Sequence, residues 1–208
     1  MLISADPHIE MKGPILFIEG KPIVGKIVRL SDLRHMYPLD LEGAPNAMIY
    51  THVHIGTFDG YDYGMFIIPP KTVGGFYAKT DAYEGRDLSL EFIWGKGYIE
   101  VFKENDDGYT DIVLLKINGR GYIPHIASPF VIYNAGSENL IVMYKAKRIK
   151  KCDIVKENKG EPLILSVNER KQNHKYLIGR FVEGTVKPPN MGEGFLMDIK
   201  AYIKKSFI

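Results

Sequence analysis

Short runs of apolar residues, many of them alternating with polar ones, recur along the chain up to about residue 146. The runs that predict strands are Ile15–Glu19, Ala47–Ile55, Tyr63–Ile68, Gly75–Lys79, Leu88–Trp94, Gly97–Lys103, Asp111–Ile117, Phe130–Asn134 and Leu140–Ala146. Turn sequences such as Asp59-Gly60, Asp106-Asp107-Gly108 and Asn118-Gly119 separate them. Short strands at this spacing, joined by turns rich in Gly, Asn and Asp, predict an antiparallel sandwich or barrel.

Helical periodicity is seen only near the C-terminus, in the segment 194–208. Its apolar residues share one face, and its lysines lie opposite; the two sets are Phe195, Ile199, Tyr202 and Ile203, and Lys200, Lys204 and Lys205. This pattern predicts one amphipathic helix. Such a helix either binds a membrane surface or a partner, or covers a face of the sheet, which is the interpretation we favour. The predicted organisation is an N-terminal arm of edge strands (1–27), a barrel (28–148) and a C-terminal extension that ends in this helix (149–208).

Composition narrows the function classes. The 208 residues include 27 Lys and Arg against 25 Asp and Glu, which gives a net charge of +2. A nucleic-acid-binding protein usually carries a larger basic excess on one face, so that class of partner is not expected. The sequence contains no apolar run of the roughly 20 residues that span a bilayer, so no membrane partner is expected. Cys152 is the only cysteine, which fits a reducing cytoplasm.

Two segments resemble the two motifs of the cupin superfamily. The first runs from Pro69–Lys79 to Glu91–Val101, and the second covers Gly121–Leu140. The segment Val28–Leu33 and the strand Tyr50–Ile55 precede them, in an order similar to that of the archaeal cupin-type phosphoglucose (glucose-6-phosphate) isomerases. The resemblance implies an all-β fold, a cupin jelly-roll antiparallel β-barrel, with a homodimeric assembly and a small-molecule ligand such as a sugar phosphate.

The same resemblance locates the metal site of that family. There, a His-x-His pair and a glutamate from the first motif, with a histidine from the second, hold a divalent metal. The corresponding positions here are Lys79 and Asp81 (or Asp81 and Tyr83), Leu88, and Phe130. Lysine, leucine and phenylalanine side chains cannot supply the converging N and O ligands that such a site needs. We therefore expect no cofactor, and a divalent metal only if other residues rebuild the site.

The histidines available for a rebuilt site are His52, His54 and His125. His52 and His54 are two apart on a predicted strand, so their side chains lie on the same face. If that face is the barrel interior, they form a ligand pair or an acid–base pair. We favour the opposite arrangement, in which the alternating set Thr51, Val53 and Ile55 faces the core. The nearby carboxylates of Asp81–Asp87 are predicted to lie on a solvated loop.

Two functions follow from these observations. The favoured one is a cupin-barrel protein that binds a sugar phosphate or a similar small organic ligand without a metal. Its pocket would be lined by Tyr77, Tyr83, Phe92, Trp94 and Phe130, although these aromatic residues could equally fill the barrel. The alternative is an active aldose–ketose isomerase. By the family resemblance, Lys79 and Thr80 would then contact the phosphate, and Glu91 is the nearest carboxylate that could act as the base.

Overall fold

The computed structural model describes residues 2–5, 8–12, 15–18, 20–37, 43–104, 106, 110–152, 164–165, 170–171 and 178–190. Strands make up most of the secondary structure in these residues. In chain order they are β1 (Leu2–Ala5), β2 (His8–Lys12), β3 (Ile15–Ile18), β4 (Lys21–Ile23), β5 (Lys26–Arg29), β6 (Met48–Phe58), β7 (Tyr61–Ile68), β8 (Thr72–Val73), β9 (Phe76–Lys79), β10 (Tyr83–Arg86), β11 (Leu88–Trp94), β12 (Lys96–Glu104), β13 (Thr110–Asn118), β14 (Gly121–Ile126), β15 (Phe130–Asn134), β16 (Leu140–Ala146), β17 (Arg148–Lys151), β18 (Ile164–Leu165), β19 (Arg170–Lys171) and β20 (Ile178–Thr185). A short helix, α1 (Leu30–Leu33), continues into one 3₁₀ turn (Arg34–Met36).

Two facing sheets form the barrel. Sheet I has the strand order β14-β11-β16-β7-β6-β5, and sheet II has the order β17-β10-β15-β12-β13-β20, with β9 also paired to β15. The pairs within sheet I are antiparallel, as are those of sheet II from β17 to β13. The all-β jelly-roll prediction is therefore confirmed.

Apolar side chains from both sheets fill the space between them. Strand alternation puts Tyr50 and Phe66 of sheet I on the inner face, and Tyr83 and Phe130 of sheet II meet them there. All four are buried. Burial of this many aromatic rings supplies a large part of the hydrophobic stabilisation of the barrel.

The outer face of sheet I is also apolar and buried. It carries Val53, Met65, Ile67 and Met143, and Leu16 of β3 belongs to the same apolar cluster. The strands β1–β4 form a separate four-stranded antiparallel sheet. The N-terminal arm therefore contributes to covering the barrel of its own chain, because an exposed apolar sheet face is unfavourable in water.

The chain after residue 148 returns to the barrel. β17 pairs with β10, and β20 joins the edge of sheet II by pairing in parallel with β13. β18 forms a small hairpin with β19 and lies beside β9. The predicted helix at 194–208 lies outside the described residues. Within the described part of the chain, no helix has the length and apolar character needed to cross a membrane.

The sequence-based strand assignments are confirmed for the barrel, and no strand end is shifted by more than three residues. One assignment is corrected: Asp81–Asp87 is not a solvated loop. It contains β10, Tyr83 is buried there, and Asp81 just before the strand is also buried. The sequence did not predict this strand because the segment is mainly polar and contains only two apolar residues, Ala82 and Tyr83.

Gly97 provides a test of how closely the strands of sheet II approach. A Cβ atom at this position would overlap the carbonyl oxygen of Tyr133 on β15, which is backbone and cannot rotate away. We expect Gly97→Ala to lower the free energy of unfolding by about 2 to 3 kcal/mol through overpacking. Chemical denaturation of the purified variant measures this.

Gly75→Ala is the matched control for that substitution. Gly75 has φ of +83°, but a Cβ atom there would have no neighbour within 4 Å. The control should lose only about 1 kcal/mol, which is the strain of a left-handed backbone. Equal stability losses for the two variants would contradict the proposed close approach at Gly97.

Candidate functional site

Four polar side chains meet inside the barrel, and we call them the interior His–Tyr cluster (Tyr50, His52, Tyr83 and Tyr144). Tyr50 and His52 come from β6, Tyr83 from β10 and Tyr144 from β16. The His52 ring stacks on Phe66 with a centroid distance of 4.9 Å and meets the edge of Tyr83 at 5.6 Å. The cluster thus combines residues from both sheets.

Two short hydrogen bonds organise the cluster. The hydroxyl oxygens of Tyr50 and Tyr83 are 2.9 Å apart, and His52 Nε2 is 2.9 Å from the Tyr144 hydroxyl oxygen. In the tyrosine pair, one hydroxyl hydrogen is used within the pair, so the other remains available to donate to a ligand. The lone pairs of these oxygens can also accept, so the cluster can bind hydroxyl and carbonyl groups.

Gly64 makes room for the bond between His52 and Tyr144. It lies opposite Tyr144 on the neighbouring strand β7, and a Cβ atom at residue 64 would overlap the Tyr144 ring and hydroxyl. Glycine inside a strand often marks such a close approach. The position of the Tyr144 hydroxyl therefore depends on the absence of a side chain at Gly64.

Burial keeps the cluster uncharged near neutral pH. It raises the pKa values of Tyr50, Tyr83 and Tyr144, mainly because the phenolate form loses its hydration. Burial also lowers the pKa of His52 to about 4, with smaller electrostatic contributions from His54, Lys151 and Lys26. His52 is therefore a neutral imidazole at pH 7.

The nearest ion pair joins Asp81 to Lys151. The Lys151 ammonium group binds the Asp81 carboxylate, which is mostly buried. Asp81 is close enough to raise the pKa values of Tyr50 and Tyr83, as secondary contributions after burial. Because the two charges compensate each other, the pair adds no net charge to this end of the cluster.

The predicted aromatic lining is brought together only in part. Tyr83, Phe92 and Phe130 are buried in the same core, and Tyr77 packs against it while partly exposed. Trp94, however, is 43% exposed at the end of β11. Trp94 thus does not line the interior, because a register shift between Phe92 and Trp94 interrupts the strand pairing.

Glu91 does not face the interior. It alternates on β11 with Leu90 and Phe92, which belong to the core between the sheets, and it pairs with Met143 of the outer cluster. Its carboxylate is fully buried and binds Arg120 at 3.0 Å. The expectation that Glu91 acts as a base in the barrel is therefore corrected: this side chain forms an ion pair on the outer face of sheet I.

Lys79 and Thr80 are also displaced from their expected role as phosphate contacts. Lys79 pairs with Tyr133, three residues from Phe130 on β15, so it lies on the outer face of sheet II. The Thr80 hydroxyl accepts a hydrogen bond from the Ile132 N–H at 3.0 Å and is buried. Neither position presents a free group to the interior His–Tyr cluster.

The two neighbouring histidines differ in environment. His52 faces the interior, which corrects the favoured outward orientation, whereas the side chain of His54 is exposed. His125 on β14 is exposed as well. The described residues contain no group of three or more His, Cys, Asp or Glu side chains arranged to hold a metal ion. The expected set of His52, His54 and His125 is thus not brought together.

Tyr50 and Tyr144 were not identified from the sequence as site residues. Tyr144 lies in the apolar run Leu140–Ala146, where a tyrosine is most simply a core residue. The signal that could have found it is Gly64, which interrupts the otherwise bulky strand Tyr63–Ile68 and so indicates that another side chain approaches. Sequence alone does not say which strand carries that side chain.

Comparison with known proteins gives the following results. No protein-family model matches the sequence, and no curated protein matches it. The structure is similar to the capsular polysaccharide assembling protein CapF from Staphylococcus aureus, with 15% identity and a TM-score of 0.39 over 54% of this chain and 29% of that chain. It is also similar to oxalate decarboxylase from Lactobacillus farciminis in a formate complex, with 17% identity and a TM-score of 0.37 over 52% of this chain and 32% of that chain. The matched region spans less than a third of either protein, and similarity at this level carries no argument about function.

The environment of His52 predicts a specific dependence of stability on pH. The pKa of His52 is about 4 in the folded protein and about 6.5 in an unfolded chain. As pH falls between these values, only the unfolded chain takes up this proton. The contribution of neutral His52 is therefore complete above pH 6.5 and is lost progressively toward pH 4.

Urea unfolding at a series of pH values measures this effect, and NMR titration of the imidazole measures the pKa directly. We expect His52→Gln to reduce the loss of stability between pH 6.5 and pH 4. The exposed His125 supplies the control, since His125→Gln should leave the loss unchanged. A His52 pKa near 6.5 in the folded protein would show that the imidazole is not in the buried environment described above.

Proposed function

We propose that this chain is a cupin-barrel protein whose interior His–Tyr cluster binds a small, uncharged organic ligand that carries hydroxyl or carbonyl groups. The observation that carries the proposal is the meeting of one neutral imidazole and three tyrosine hydroxyls between the two sheets. Small-molecule sites combine apolar and aromatic walls with a few converging polar groups. Here Phe66 and Phe130 supply apolar walls beside that cluster.

Charge favours an uncharged ligand over a phosphorylated one. The expected phosphate contacts, Lys79 and Thr80, do not face the cluster. Among the described residues, two lysines act electrostatically on His52: Lys151, which Asp81 already binds, and Lys26, which is exposed and pairs with His52 between β5 and β6. A sugar phosphate, the ligand expected from the sequence, would therefore have to compete with Asp81 for Lys151 or bind the solvent-exposed Lys26. A sugar without the phosphate meets no such competition.

Aldose–ketose isomerase activity is a second candidate function. The reaction needs a group that carries a proton between two neighbouring carbons of the open-chain sugar. Glu91 lies on the wrong face for that step, so His52 is the remaining interior candidate. Its neutral imidazole can accept a proton at pH 7, but a pKa of about 4 makes it a weak base. Ligand binding without rapid turnover is therefore the expected behaviour.

Calorimetry with glucose, fructose and their 6-phosphates tests the proposed binding. We expect the uncharged sugars to bind at least as tightly as the phosphates. Tyr83→Phe keeps the ring but removes one hydroxyl, and the loss of one hydrogen bond of about 1 kcal/mol should weaken binding about fivefold. Gly64→Ala should also weaken binding, because it displaces the Tyr144 hydroxyl without removing any group of the cluster.

His125→Gln is the control for these variants, because His125 is exposed and lies outside the cluster. It should bind like the unmodified protein. Equal binding by Tyr83→Phe, Gly64→Ala and the control would place the ligand elsewhere. A coupled assay for conversion of glucose-6-phosphate to fructose-6-phosphate, carried out on the same samples, tests the isomerase candidate; rapid turnover that His52→Gln abolishes would support it over binding alone.

Metal independence is part of the proposal. The position of the family's third histidine is occupied by Phe130, which is fully buried beside Tyr83. We expect protein purified without added metal to contain no stoichiometric iron, nickel, manganese or zinc by elemental analysis. Phe130→His alone should create no tight site, since one ligand leaves the coordination number too low. One equivalent of bound metal in the unmodified protein would contradict the proposal and favour a metal-dependent isomerase.

Homodimer formation and a cytoplasmic location remain predictions from the sequence.

A further inference from the structure

A second polar cluster lies on the outer face of sheet II, away from the interior His–Tyr cluster. We call it the buried lysine cluster, and it consists of Tyr37, Lys79, Glu100 and Tyr133. Lys79 is only 2% exposed. Its Nζ atom lies 4.6 Å from the centre of the Tyr37 ring and 5.7 Å from that of Tyr133. Strand pairing places Lys79 beside Tyr133, and Glu100 lies on the same face.

Within the described part of the chain, Lys79 lacks the hydrogen-bonded or ion-paired partner that a buried ammonium group normally has. Among the described residues, no carboxylate forms an ion pair with Nζ and no acceptor forms a hydrogen bond with it. Glu100 acts on it electrostatically, but Glu100 Oε2 accepts a hydrogen bond from the Tyr133 hydroxyl at 2.5 Å. Buried lysines without a partner are rare because the charged form loses its hydration.

Burial makes the neutral amine less costly to keep, while the two tyrosine rings favour the charged form and so oppose this effect only in part. Burial lowers the pKa of Lys79 to about 8, although the negative charge of Glu100 opposes this change. The neutral form of a lysine is the nucleophile, and desolvation in an apolar pocket is a known way to activate it. The proposed interior ligand site does not use this group.

We propose that Lys79 is a nucleophilic amine site that forms an imine with a small aldehyde or ketone. The nitrogen lone pair attacks the carbonyl carbon, and a C–N bond forms as the C=O π bond breaks. Both hydrogens of the neutral amine leave with the carbonyl oxygen as water, which balances the reaction without an oxidant or reductant. Glu100 can accept a proton from the nitrogen and return it to the departing oxygen, and Tyr133 holds that carboxylate in place.

Competitive labelling of the full-length, folded protein tests the site. The probe is acetaldehyde with sodium cyanoborohydride at pH 7, which converts an imine into a stable ethylamine. Mass spectrometry of peptides then gives the labelling rate of every lysine in the same sample. At pH 7 an amine of pKa 8 is neutral a few hundred times more often than one with the usual pKa of about 10.4. We expect Lys79 to label at least about tenfold faster than the exposed Lys96 and Lys103, even with restricted access.

A matched pair of variants tests the role of the carboxylate. The comparison is made at pH 9.5, above the pKa of Lys79, because removal of the Glu100 charge at pH 7 would also increase the neutral fraction of the amine. There Glu100→Gln should slow labelling of Lys79 several-fold through loss of the proton acceptor, whereas Glu104→Gln, an exposed position on the same strand, should leave the rate unchanged. Labelling of Lys79 no faster than Lys96 at pH 7 would overturn the proposal. Labelling that appears only after unfolding in urea would do the same, and both results would identify Lys79 as a structural cation held by its two tyrosines. These outcomes do not depend on the sugar-binding measurements, so the two proposals fail or succeed separately.

Discussion

The contact of Tyr83 with sheet I joins the two halves of the barrel. Its ring lies 4.9 Å from Phe66 and 5.6 Å from His52, and its hydroxyl is hydrogen-bonded to that of Tyr50 across the space between the sheets. Aromatic contacts of this kind combine a large buried area with a directional polar group. This one side chain helps to bury His52, orients the Tyr50 hydroxyl and bridges the two sheets. A strand that appears polar in the sequence thus carries a central packing residue.

Strand positions could be predicted from the sequence because a period of two with polar turns is a local signal. The orientation of each strand could not. In β6, Val53 and Ile55 alternate with the histidines and are buried, but they face the N-terminal sheet rather than the barrel interior. His52 is half-buried on the other side. Alternation shows which residues share a face, but it does not say which face is the interior when both are covered.

The candidate site was predicted less well because strand continuity fails where the family motif was projected. Residues 79 and 83 would share a face in an uninterrupted strand. Here Thr80 bonds to Ile132 through its N–H and its hydroxyl, and the pairing changes from Lys79 with Tyr133 to Tyr83 with Phe130. Tyr83 follows Lys79 by four residues, whereas their partners Phe130 and Tyr133 are only three residues apart. Because of this mismatch, the Lys79 side chain lies on the outer face of the sheet and the Tyr83 side chain lies on the inner face. Two polar clusters on opposite faces of one sheet are the result, and no pattern in the sequence marks the break.

The parallel pairing of β20 with β13 has a consequence for synthesis of the chain. Thr110 pairs with Ile178, so this edge of β13 can be paired only after the much later residues of β20 have been synthesised. Until they emerge from the ribosome, β13 presents unpaired backbone groups, and such an edge can pair with the same edge of another nascent chain. Long-range pairing of this kind also slows folding, because the chain loses the entropy of closing a long loop before the stabilising contacts between the strands can form. The chain therefore has a period of vulnerability to aggregation that ends only when its last described strand is in place.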